Sequence, residues 1–144
     1  PYEAAGYSFR LPAGFTGTER ITGDSIFADT KKSSQNSQEF TKPYPGKLAS
    51  TDVFLSFTGN ARSFGDASVA SFSPQNGWTV RGRRSLSLKK DVNGEKQVMR
   101  QYMYCLEKDG IAVFADVFMP ADDDAEADRI IRIFAKTLNK DGVR

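Results

Sequence analysis

An α+β fold is what this sequence predicts: an antiparallel sheet covered by a C-terminal amphipathic helix and by smaller helical and loop elements. Three observations carry that reading. Asn93-Gly94 separates two long alternating runs, Ser85–Lys90 and Gln97–Glu107, and Asn-Gly suits a type I′ hairpin because both central residues need φ > 0. Asp109-Gly110 repeats the signal ahead of a third run, Ile111–Met119, which Pro120 ends. Ala127, Ile130, Ile131, Phe134, Ala135 and Leu138 then recur at helical spacing, an apolar stripe that has to pack on the sheet.

The remaining elements follow in order. Tyr7–Leu11 alternates apolar and polar residues as a half-buried strand does, and Pro12-Ala13-Gly14-Phe15 breaks it. Thr22-Gly23-Asp24 turns the chain into a short strand, Ser25–Asp29. Thr30–Ser50 is polar and punctuated by Pro and Gly, and it reads as one long surface loop, a length that compact domains keep for function or disorder. Asp52–Thr58 regains strand character with Val53, Leu55 and Phe57 inward, although Phe54 interrupts the alternation and implies cover on the second face. Asp66 looks like the N-cap of a short helix, Ala67–Phe72, ended by Ser73-Pro74. Gln75-Asn76-Gly77 is another turn. In Ile111–Met119 the odd positions face one way while Phe114 and Phe118 face the other, so that strand too is covered on both sides.

A chain of 144 residues is read as one domain, 1–144, able to bury a core without disulfide or metal staples. The net charge of +2 argues against nucleic acid as the partner, since phosphate neutralisation needs a concentrated basic field. No run of apolar residues is long enough to span a membrane as a helix. The opening at Pro1 without an initiator Met is compatible with a removed export signal or an upstream lipid anchor.

The absence of histidine narrows the chemistry most. Without imidazole there is no Ser-His or Cys-His nucleophile pair, and the commonest metal ligand is missing. Cys105, the single cysteine, sits mid-strand and is expected to serve as a small buried hydrophobe. The acidic group Asp122, Asp123, Asp124, Glu126 and Asp128 could ligate calcium, but it lacks the spacing of a calcium loop. Capping a helix and complementing its dipole is the stronger reading. Glu19, Asp24, Asp29, Glu39, Asp52 and Asp66 show no spacing that fixes a glycosidase pair. The reading is therefore non-enzymatic, without cofactor or metal.

In its order of parts the chain resembles the PsbP-like α/β/α family. Tyr7-Ser8-Phe9-Arg10-Leu11-Pro12-Ala13-Gly14-Phe15 is similar to that family's opening strand and turn, Ser25–Asp29 to its second strand, and Asp52–Thr58 to the core strand that follows. Phe64-Gly65-Asp66 looks like the entry to its first helix, and the Tyr102 strand, the Asp109-Gly110 turn and the terminal helix complete the pattern. The family includes thylakoid-lumen photosystem subunits, a nuclear-transport factor that binds the small GTPase Ran, exported bacterial lipoproteins and periplasmic immunity proteins that block type VI secreted muramidases. The resemblance implies a protein-binding scaffold, with a periplasmic immunity protein as the first instance and an accessory subunit of a membrane complex as the alternative. A muramidase-like toxin would then be inhibited by loop insertion into its cleft.

The contact residues are read from the loops rather than from the family. Ser34, Asn36 and Tyr44 lie in the long loop, Asn60 and Arg62 in the Gly59–Phe64 turn, and Gln75, Asn76 and Trp78 in the next turn. Arg81 and Arg83 share a strand face and could meet an acidic partner, or else form a solvated edge. Trp78 could anchor a partner or fill the core.

Overall fold

A computed structural model describes residues 3–4, 7–16, 19–22, 25–28, 37–59, 68–71, 74 and 76–140. Its centre is a six-stranded antiparallel sheet in the order β6-β7-β11-β10-β9-β8. The strands are β6 (Ser37–Pro43), β7 (Ser50–Gly59), β8 (Ser68–Ser71), β9 (Thr79–Val92), β10 (Glu95–Lys108) and β11 (Ile111–Met119). Two three-stranded sheets flank it. One joins β1 (Glu3–Ala4), β2 (Tyr7–Ser8) and β12 (Asn139–Lys140), and the other joins β3 (Arg10–Pro12), β5 (Ser25–Ala28) and β4 (Glu19–Thr22). The one helix among the described residues, α1, runs Asp124–Thr137.

The hairpins arise where the turn chemistry demands them. Asn93 and Gly94 have φ of 53° and 83°, and Asp109 and Gly110 have 52° and 79°, the doubly positive pair of a two-residue turn. Asn76-Gly77 repeats the pattern at 53° and 81° ahead of β9. The strands expected around the first two turns are present and extend to the turns themselves.

Val53, Leu55 and Phe57 of β7, Tyr102, Tyr104 and Leu106 of β10, and Val113, Ala115, Val117 and Met119 of β11 form the buried inner face of the sheet. Helix α1 lays its stripe of Ala127, Ile130, Ile131, Phe134 and Ala135 into that core. The burial of Ile130, Ile131 and Phe134 stabilises the fold by about 1.5–3 kcal/mol each. Phe9 falls between β2 and β3, and its ring lies in the core, 5.2 Å from Phe134 and 5.6 Å from Phe57. The chain passes from one small sheet to the other there, and Arg10 N donates instead to Thr137 Oγ1 at 2.9 Å.

Two expectations are corrected. The segment Thr30–Ser50 is not one loop, since Ser37–Pro43 pairs along β7 from Ser37–Ser56 to Pro43–Ser50. The only large apolar residue of Ser37–Pro43 is Phe40, fully buried, and one aromatic among polar neighbours is too faint a period to announce a strand. The helix expected over Ala67–Phe72 is replaced by β8, which pairs with Arg81–Arg83 through a bulge; Ser and Val are weak helix formers, and strand pairing wins. Asp66, Ala67, Phe72 and Ser73 lie outside the described residues. Val98 is 61% exposed. The β9–β10 hairpin outruns β11, whose pairing begins at Arg100–Met119, so nothing on β11 lies opposite Val98.

The other face of the sheet carries Phe54, Ser56, Met103, Cys105, Phe114, Asp116 and Phe118. A bulge between Gln101 and Met103 increases the twist of the β9–β10 arm, and Lys90 comes within 3.5 Å of Asp52 on β7.

Candidate functional site

At the N-terminal end of α1, Asp123 is the N-cap: its Oδ1 accepts from Glu126 N at 3.2 Å. Its Oδ2 accepts from the Tyr44 hydroxyl at 2.7 Å, and its own N–H donates to the Tyr102 hydroxyl at 3.0 Å. That hydrogen bond to a carboxylate, with burial, raises the Tyr44 phenol above its ordinary value. Glu126 accepts from Arg129 Nε at 2.7 Å and from Lys42 Nζ at 3.0 Å. The Arg129 hydrogen bond, with Lys42 behind it, holds the Glu126 carboxyl below the usual range. Arg100 donates to Asp122 and lowers that carboxyl likewise. The acidic run thus caps and braces the helix. Between the two walls opens a cleft of about 420 Å³ lined by Lys42, Pro43, Tyr44, Pro45, Asp123 and Glu126.

At the opposite end, Trp78 is 2% exposed and its Nε1 donates to the Leu138 carbonyl at 2.9 Å. Asn76 Nδ2 donates to the same oxygen at 2.8 Å, and Lys108 Nζ donates to Asn76 O at 3.2 Å. Both side chains satisfy a helix-end carbonyl that would otherwise lack a donor. Trp78 is therefore a core residue, and the anchor reading for it is corrected.

Tyr44 and the Asn76–Trp78 turn are separated by the length of α1, roughly 21 Å for fourteen residues at 1.5 Å each. They do not form one rim. Arg81 belongs to a third region: it pairs with Glu107 on the outer face of the sheet, and β9 sets Arg81 opposite Cys105 and Arg83 opposite Met103. Ser34, Asn36, Asn60, Arg62 and Gln75 lie outside the described residues, as does the Arg83 side chain.

The outer face holds what the sequence reading passed over. Phe54 is 40% exposed, and its ring meets Phe118 edge-on at 5.3 Å and 79°. Asp116 stands between Phe114 and Phe118 on β11, opposite Phe54 on β7 and Met103 on β10. Burial raises its carboxyl above the ordinary 3.8, and a hydrogen bond from Gln101 only partly offsets this. Cys105, fully buried on this face, has its thiol raised by burial. The signal for the site was a lone carboxylate flanked by two phenylalanines within an otherwise apolar strand.

Among the described residues, no three Cys, Asp or Glu side chains converge as a metal site, and no helix is long and apolar enough to cross a membrane. No protein-family model and no curated protein matches the chain. Its fold is similar to that of a crystal structure from Bacteroides thetaiotaomicron VPI-5482, with a TM-score of 0.54 and 16% identity over 94% of this chain. The match takes in 45% of the neighbour, so the chain spans about half of that protein's length. The shared feature is the fold, an antiparallel sheet carrying a C-terminal helix.

Proposed function

We propose that this chain is a non-enzymatic protein-binding module that docks through the outer face of its six-stranded sheet. The exposed Phe54, with the half-buried Phe118 ring against it, carries the reading. An aromatic pair on a rigid sheet offers large contact area at little entropic cost, and such residues dominate interface energies. The carboxylates around α1 support it from the other side, because capping and ion pairing already occupy Asp122, Asp123 and Glu126.

The PsbP-like resemblance supplies two settings for such a module. A periplasmic immunity protein would block a secreted cell-wall-degrading toxin through its loops; for that reading the open cleft beside Tyr44 is the favourable feature. An accessory subunit of a membrane complex would use a broad sheet face, and the position of Phe54 favours this second form. Capture of exported proteins on the immobilised chain tests both. Phe54→Ser is expected to abolish capture of the partner while Tyr44→Phe leaves it intact. Retention by Phe54→Ser with loss in Tyr44→Phe overturns sheet-face docking in favour of loop insertion. Absence of any capture by the wild type overturns the binding-module reading altogether.

A further inference from the structure

We propose that the edge of β10 at the tip of the β9–β10 hairpin, Glu95–Met99, receives an extended strand of a partner protein that carries an aliphatic residue and, two positions on, an acidic one. This stands apart from the outer-face docking above and rests on a different part of the sheet. β10 pairs with β11 from Lys108–Ile111 to Arg100–Met119, and β11 stops there, where Pro120 has no N–H to continue the ladder. The register carried onward would set Ala121 opposite Val98, but the chain bends at Pro120 and Ala121 toward α1. On its other side β10 stays paired with β9 down to Glu95–Val92. In an antiparallel ladder alternate residues turn both N–H and C=O to one side. Glu95–Met99 therefore presents a short row of such groups where β11 has left, and among the described residues no strand meets them.

The side chains say what strand fits. Val98 is the most exposed large apolar residue among those described, and a pocket of about 140 Å³ opens beside it. Val98, Met99 and Arg100 form one wall, and Pro120 and Ala121 form the other, with room for one aliphatic side chain. Strand addition uses such a layout: backbone bonds hold the incoming chain, and a pocket selects its side chains at alternate positions. Val98 and Lys96 share a face of the hairpin, with Lys89 opposite Val98 and Asp91 opposite Lys96. Lys96 and Asp91 approach to 3.4 Å while both stay exposed, and Lys89 is exposed as well. This face of the tip thus carries two lysines against one aspartate, and Asp122 across the pocket is bonded by Arg100. Edge lysines deter a second copy of this chain, which brings the same lysines, but favour a strand whose residue beside Lys96 is acidic.

The test is a titration of the ¹⁵N-labelled chain with the peptide acetyl-Thr-Val-Thr-Glu-Thr-amide and with its counterpart carrying Lys in place of Glu. Two further counterparts are N-methylated at alternate residues, one in each phase. The expected result is a shift and slowed exchange of the Lys96, Gln97 and Val98 amides by the first peptide at concentrations up to about 10 mM. The Lys counterpart should bind about fivefold or more weakly, and Lys96→Glu should reverse that preference. One N-methylated phase should lose binding while the other keeps it, because the methyl groups of one phase alone block the edge. Val98→Asp should weaken binding about tenfold or more. No response at these amides, equal binding of the Glu and Lys peptides, equal behaviour of the two N-methylated phases, or full binding to Val98→Asp overturns the inference. Protection of the same amides without peptide, in a chain that sediments as a dimer, overturns it in favour of a second copy.

Discussion

Trp78 shows how a residue's chemistry is legible while its assignment is not. A large aromatic beside a turn fits an interface anchor and a core plug equally well in sequence. The decision comes from Leu138, sixty positions later, whose carbonyl needs a donor at the end of α1. Trp78→Phe keeps most of the apolar bulk and removes the N–H, so it is expected to cost about 1–3 kcal/mol, and Trp78→Ala about 3–5 kcal/mol. Urea unfolding measures both, and a variant as stable as the wild type would return Trp78 to the surface. Asp116 is the converse case. Alternation placed Phe114 and Phe118 on a second covered face, yet a lone carboxylate has no period of its own, and its apolar ring comes from β7 and β10.

Elements were legible in proportion to the local chemistry that fixes them. The β9–β10–β11 meander and α1 follow from two-residue turns, strict alternation and a helical stripe, all short-range signals. Strands β6 and β8 were missed because pairing partners made them: Phe40 gains burial only once β7 is alongside, and β8 forms against Gly82 and its neighbours. The start of α1 carries a pH dependence of definite sign. Glu126 has a lowered folded-state carboxyl, so its contribution is present above its ordinary value of 4.5 and is lost as pH falls through the still lower folded value. Glu126→Gln is expected to be less stable than the wild type at pH 7, with the gap closing in acid. Because Glu126 is partly exposed, the gap should be modest, about 1 kcal/mol or less after solvent screening. Melts of the two proteins across that range check it, and a gap that persists in acid would mean packing rather than charge.

For the molecule as a whole, the two faces of the sheet play different parts. The inner face is closed by α1 and by the aromatic cluster of Tyr7, Phe9 and Phe57, and it sets stability. On the outer face lie Phe54 and Asp116, whose carboxyl is pushed above its ordinary value by burial. With its folded-state value raised, Asp116 takes stability away as pH rises through that value and has no effect below 3.8, where both states are protonated. The advantage of Asp116→Asn should therefore appear on going from acid to neutral pH. Asp52, Lys90, Arg81, Glu107, the raised Cys105 thiol and, by register, Arg83 share this face, so the difference between the two proteins at each pH is the informative quantity. An advantage independent of pH would assign the effect to shape instead of charge.

One small contact has a consequence for how copies of the chain keep apart. Strand β6 lies at the rim of the large sheet, and Thr16 exchanges two backbone hydrogen bonds with Thr41 there, at 2.6 and 2.9 Å. That bridge occupies the groups a foreign strand would need at Thr41. Should the segment bearing Thr16 peel away, the rim would become a template on which another molecule could add its own strand, so the N-terminal segment doubles as a guard against self-association.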